Sequence, residues 1–432
     1  MLKRMLIGLF LLAMPAFAQT RALVLISIDG LPPAYLTAAD KYQLKIPTLR
    51  RLMAEGVHAE SVRNVMPTVT YPNHTTLITG VAPARHGISQ NTTLDPDNKN
   101  LGGWYWYSED IKVPTLWDVA AKAGWPVGSV SWPVSVGARG VNYLVPEYWR
   151  SMTADDRKLI RVLATPGLIA ELEPDAGPPI TDLSDAVPGD WVRTRYAVGI
   201  IRHKHVRFIT VHLAALDHLE HEHGPFSPEA FATLEETDKM VASIETAMRA
   251  ETPETAICIV SDHGFARIDR QLNLRATMKD WKATPWGTGG SAFIVLKDPK
   301  DAAARADVEK QLKQLAADPA NGIDHIMDRK ELSALGAAPN ADFAVDMKPG
   351  FTIGTGNEPG VVTIKAGGTH GYSPEHVEMR ASFVLAGPGI RRGVSLGEID
   401  MRSIAPTLAK LMGGSLPLAE VPPLGVFTVL DK

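Results

Sequence analysis

The 432-residue chain contains a single cysteine, so no internal disulfide can staple it. It also carries little net charge. Its 44 Lys+Arg against 48 Asp+Glu leave −4 at pH 7, which lacks the basic excess of a nucleic-acid-binding surface. No internal repeat and no low-complexity tract interrupts it. With 45% hydrophobic and 21% charged residues, the composition excludes a disordered chain, a collagen and a coiled coil. Long apolar runs are also missing beyond the N-terminus, and the one there, Met5 to Met14, is too short to span a bilayer comfortably.

That N-terminal run is preceded by Lys3 and Arg4 and followed by Ala16-Phe17-Ala18, a small-residue cleavage pattern. Together they read as a signal peptide over residues 1–18. The expectation is an exported protein, periplasmic or secreted, with no membrane span after cleavage and residues 19–432 as one catalytic domain. Cys258, inside an apolar run, reads as a buried strand residue.

Ala22 to Ile28 is a continuous apolar run rich in β-branched residues, as buried parallel strands are. Pro126 to Trp132, Arg207 to Leu213, Thr255 to Ser261 and Ser382 to Ala386 have the same character. Between them lie helix patterns at Ile46 to Gly56, from about Pro72 to Gly80, at Pro228 to Ala250 and at Arg402 to Met412. The alternation predicts an α/β fold with a mixed, mostly parallel central sheet and helices on both faces. Two stretches read as insertions: residues 146–192, acidic and irregular, and residues 281–360, a smaller α+β subdomain. The core is expected to resume at Val361.

Metal-ligand residue types gather where these strands end. Asp29 follows the first strand, Asp217 and His221 follow the third, Asp262-His263 follow the fourth, and His370 sits between glycines. Open α/β sheets bind ligands outside the carboxyl ends of their strands. Each residue alone could be a cap or a turn, but six of them at one sheet edge point to a metal centre. Three carboxylates and three imidazoles suit Zn²⁺, with Mn²⁺ or Fe²⁺ as alternatives. Thr70 stands at the expected start of a helix, where free N–H groups and the helix dipole favour a phosphate and an alkoxide.

The motifs resemble those of the nucleotide pyrophosphatase/phosphodiesterases of the alkaline phosphatase superfamily. They run in family order: Asp29, then Thr70-Tyr71-Pro72-Asn73-His74, His86-Gly87-Ile88 with Asn91, Asp217 with His221 through Pro225, Asp262-His263-Gly264, and Gly368-Thr369-His370-Gly371. The resemblance implies an alkaline-phosphatase-like fold and two Zn²⁺ per chain. One would be held by Asp217, His221 and His370, the other by Asp29, Asp262, His263 and the Thr70 oxygen. It implies Thr70 as nucleophile, a phosphothreonine intermediate, and Asn91 as donor to a phosphoryl oxygen. Tyr71 stands where the family has Phe and is a candidate substrate-binding residue. The expected activity is hydrolysis of a phosphodiester or pyrophosphate bond in a small-molecule substrate, a nucleotide foremost. A phosphomonoesterase on the same scaffold, with Arg139 as its extra cation, and a catalytically inactive metal-binding relative are the alternatives.

Overall fold

A computed structural model describes residues 20–97, 99–100, 103–148, 154–177 and 186–428. The expected signal peptide lies outside the described residues. The frame is an eight-stranded sheet. Its spatial order is Val394–Ser395, Val57–His58, Phe383–Ala386, Thr255–Val260, Ala22–Ile28, Phe208–Leu213, Val127–Val130 and Tyr143–Val145. Phe383–Ala386 runs antiparallel to both its neighbours, and the other pairings are parallel.

Strand Ala22–Ile28 lies centrally and shows why an uninterrupted apolar run is needed. Ala22, Val24, Ile26 and Ile28 face one hydrophobic cluster, while Leu23 and Leu25 face another. Helices Pro47–Glu55, Val187–Lys204 and Pro228–Glu251 cover the first face. Helices Thr70–Thr79, Leu116–Lys122 and Ile404–Leu411 cover the second. A strand buried on both sides cannot afford alternation with polar residues. Cys258 is fully buried in its strand.

Two expectations change. Residues 146–192 are not irregular where described: they include helices Ala154–Leu163 and Leu168–Ala176 and the start of Val187–Lys204. Their proline and aspartate content masked an amphipathic spacing in which Leu168, Ile169 and Leu172 turn inward. The chain also does not rejoin the central sheet at Val361. Val361–Thr369 pairs antiparallel with Ala266–Leu272, and Gly350–Ile353 pairs parallel on the other side, giving a separate three-stranded sheet. The central sheet is rejoined only at Phe383. A four-stranded antiparallel sheet occupies Ala283–Met347, with helix Ala302–Ala317 packed beside it.

Leu25 is fully buried between the two neighbouring parallel strands. Leu25→Ala is expected to lower stability by about 2–5 kcal/mol, through lost burial and a residual cavity, as read by urea unfolding.

Candidate metal centre and nucleophile

Three adjacent parallel strands end in register. Ser27 lies opposite both His212 and Val260. The residues just past these ends therefore converge: Asp29, the helix Ala215–His223 carrying Asp217 and His221, and Asp262-His263. Gly30 allows the turn after Asp29, having φ +67° where a side chain would meet Phe265 at 2.7 Å. The last candidate ligand arrives from the three-stranded sheet. Its strand presses so closely on helix Ala215–His223 that a Cβ at Gly367 would lie 2.3 Å from the His221 carbonyl oxygen. His370 follows directly.

All six expected ligand residues meet here. Asp217, His221 and His370 place ligand atoms within 4.8 Å of one another, as do Asp29, Asp217 and His263. Asp217 thus stands between the two groups. Its Oδ1 is 3.6 Å from His370 Nε2 and 4.0 Å from His263 Nε2. Asp262 Oδ2 approaches His263 Nε2 at 3.2 Å. The histidines are aimed by the backbone: Nδ1 of His221 pairs with the Gly368 carbonyl at 3.0 Å, Nδ1 of His370 with that of Thr68 at 3.1 Å, and Nδ1 of His263 with that of Gly264 at 3.3 Å. Each ring consequently turns Nε2 into the cluster, the arrangement in which an outer partner fixes a ligand's tautomer.

Asp29 Oδ1, Asp217 Oδ1, Asp262 Oδ2 and His263 Nε2 are buried without a hydrogen-bond partner. Orphaned buried polar atoms cost roughly 1–3 kcal/mol each, and more when charged. Burial, reinforced by the neighbouring carboxylates, pushes Asp29 and Asp217 well above the ordinary carboxylate range. Burial also works against ionised Asp262, but His263, His74 and His212 outweigh it and hold that carboxyl low. Burial lowers His263 to about 4 and His370 well below its ordinary value, so both keep a neutral nitrogen lone pair. This donor set fits divalent cations. The Asp324, Asp346 and His376 group differs, because Asp346 already accepts from the Ser373 N–H and pairs with His376, both at 2.8 Å.

Thr70 is the first residue of helix Thr70–Thr79, two residues before the expected start. Pro72 has no N–H, the Tyr71 N–H donates to Asn91 Oδ1 at 2.8 Å, and the Asn73 N–H donates to the Val69 carbonyl. Among the described residues the Thr70 N–H has no protein acceptor, so it is the helix-start donor available to an anion. Because Asn91 spends its oxygen on Tyr71, its amide nitrogen is the end left to donate. Thr70, Asn91, Asp29, Asp217, His221 and His370 all line one cavity of about 620 Å³.

Tyr71 has no exposed surface. Its ring stands edge-on to Trp104 at 5.1 Å and to Trp106 at 6.0 Å. Tyr71 and Trp104 both line the cavity; Trp104 is the more exposed of the two and stacks on Trp106 behind it. Trp117 and Trp132 are core residues. Arg139 lines a different cavity, with Tyr107, Trp117 and Asp118.

A model of the type I phosphodiesterase / nucleotide pyrophosphatase family matches residues 23–373. The chain belongs to this family. It is 22% identical to human ectonucleotide pyrophosphatase/phosphodiesterase family member 1 over 88% of this chain and 38% of that protein. It is 24% identical to the venom phosphodiesterase of Naja atra over 90% of this chain and 44% of that protein. The chain spans less than half the length of these curated relatives. Human ectonucleotide pyrophosphatase/phosphodiesterase 5 superposes with a TM-score of 0.65 at 19% identity, covering 94% of this chain and 97% of that one. The shared architecture is the alkaline-phosphatase-like fold.

Several residues that brace the site carry no recognisable signal in the sequence. Asp190, from helix Val187–Lys204, accepts the N–H groups of Ala214 and Ala215 at 3.0 and 2.9 Å. It thereby caps the ligand-bearing helix Ala215–His223, whose own N-cap, Ala214, has no side-chain acceptor. Arg193 closes on Asp190 at 2.7 Å, with both side chains buried. Asp190→Ala removes that cap and the carboxylate opposite a buried guanidinium. A stability loss of about 3–5 kcal/mol is expected by chemical denaturation.

Proposed function

We propose that this protein is an exported hydrolase that cleaves phosphodiester or pyrophosphate bonds, with nucleotides as the foremost substrates, through covalent attack by Thr70. The observation that carries the reading is the group of orphaned, buried ligand atoms beside a threonine at a helix start. Asp217, His221 and His370 would hold one divalent cation; Asp29, Asp262 and His263, with the Thr70 oxygen, would hold a second. Zinc is favoured by the mixed nitrogen and oxygen donors. When bound, the cations lower the hydroxyl pKa and offset charge on the phosphoryl group.

The chain's own residues account for the rest. Thr70 Oγ1 forms a bond to phosphorus as the bond to the leaving oxygen breaks, giving a phosphothreonine, and water then cleaves the phosphorus–Oγ1 bond. The Thr70 N–H and the Asn91 amide donate to the non-bridging oxygens, and one such donor is typically worth 10²–10³ in rate. Trp104 offers a face on which a base can stack. A related murine structure, of an inactive threonine-to-alanine variant of ectonucleotide pyrophosphatase/phosphodiesterase 5 in complex with AMP, supports this reading. Export rests on residues 1–18 and on the "ecto" and venom names of the relatives. Among the described residues no helix is long and apolar enough to cross a membrane.

The cavity lining favours a diester over a monoester. It contains no Lys or Arg among the described residues, whereas a dianionic monoester calls for an additional cation. Purified, metal-loaded protein is expected to show a higher kcat/KM on p-nitrophenyl thymidine monophosphate and bis-p-nitrophenyl phosphate than on p-nitrophenyl phosphate. The reverse order would make the enzyme a phosphomonoesterase. Thr70→Ala is expected to lower kcat at least about 10³-fold, on the scale of removing a catalytic nucleophile, while metal content stays near that of the parent. Full residual activity would assign the nucleophile elsewhere.

A further inference from the structure

A chain of buried polar side chains leads to one ligand residue and is not used by the chemistry above. Glu147 Oε2 lies 2.6 Å from His212 Nδ1, and His212 Nε2 lies 2.9 Å from Asp29 Oδ2. His212 Nδ1 also lies 3.1 Å from the Ser131 carbonyl oxygen. All three side chains are at most 4% exposed. We propose that Glu147 and His212 are positioning residues that set the orientation of Asp29 and thereby the affinity of one of the two metal sites. The inference rests on the metal-site reading above.

The argument is one of which oxygen is committed. A carboxylate can rotate and present either oxygen. With Oδ2 tied to His212, Asp29 directs Oδ1 into the cluster, 3.3 Å from His263 Nε2. The ring cannot flip freely, because both of its nitrogens face acceptors. Glu147 comes from the segment just after strand Tyr143–Val145, and His212 from the interior of strand Phe208–Leu213, so two separate elements brace a residue on a third. The ligand histidines are oriented by backbone carbonyls, which no side-chain substitution removes. Asp29 is instead oriented by side chains. Substitution outside the ligand set can therefore tune the site Asp29 belongs to, and loss of such an outer partner typically costs 10–100-fold in metal affinity. A merely structural buried pair would have no reason to favour one site.

The test is zinc binding to the apoprotein by competition with a chromophoric chelator, which needs no turnover. His212→Leu is expected to weaken the second zinc equivalent about 10–100-fold and leave the first unchanged. His212→Gln, which can still reach Asp29 with an N–H donor, is expected to recover part of the loss. Two equivalents bound by His212→Leu with parental affinity would overturn the proposal, as would equal weakening of both. If His212→Leu fails to fold by circular dichroism, Glu147→Gln decides: unchanged affinity for the second equivalent overturns the proposal, and selective weakening supports it. A parental chain that binds no zinc at all overturns the metal-site reading itself, a result distinct from any of these.

Discussion

Three carboxylates held within a few ångströms, deep inside a protein, repel one another strongly, and the rest of this structure is arranged around that fact. Burial and mutual repulsion raise Asp29 and Asp217. Neutral imidazoles beside them add lone pairs rather than positive charge. The unpartnered atoms on Asp29, Asp217, Asp262 and His263 are those a divalent cation would satisfy. The cluster is a poor way to stabilise a fold and a good way to hold a metal.

Holding such a cluster requires rigidity from several directions. The in-register strand ends fix the spacing of Asp29, Asp217 and Asp262. Backbone carbonyls aim the three histidines. Asp190 caps the helix bearing Asp217 and His221, while Glu220 on the same helix binds the Tyr35 hydroxyl at 2.5 Å. Gly367 and Gly368 let the strand that delivers His370 approach this helix more closely than any side chain would allow. Each brace comes from a different element, so displacing one ligand strains several contacts at once.

The convergence of the candidate ligands was legible because their chemistry sits at strand ends, where polar residues interrupt apolar runs. The place of Thr70 was legible for a similar reason: a hydroxyl at a helix start two residues before a proline. The braces were not. His212 falls inside an otherwise apolar strand, where a histidine usually reads as a satisfied core residue. Glu147, Asp190 and Arg193 fall in or beside a stretch that looked irregular. Glu147 pairs with His212, His212 with Asp29, and Asp190 with Ala214 and Ala215, all distant in sequence, and no periodicity encodes such pairs; only Arg193 with Asp190 stands at helical spacing. The return of the chain at Phe383 rather than Val361 was hidden similarly. Val361–Thr369 has a strand's composition, and only its pairing with Ala266–Leu272 shows that it belongs to another sheet. Tyr71 read as a pocket residue because of where it stands in the motif, and it does line the cavity, with its ring held edge-on to Trp104 and Trp106.

Charge arithmetic connects this architecture to the choice of substrate. On the proposed two-cation reading, Asp29, Asp217 and Asp262, when ionised, would contribute −3 to the cluster and the two cations +4. The balance before Thr70 ionises is +1, which matches the single negative charge of a phosphodiester and falls short of a dianionic monoester. Among the described residues the cavity wall does not alter the balance, since its lining adds amides, hydroxyls and aromatic rings but no Lys or Arg. Arg139 faces a different cavity and cannot supply the missing charge from there. On the proposed reading, a diester preference would arise because the site holds no cation beyond the two metals, and the aromatic and amide surfaces around it would act on the groups flanking the phosphate.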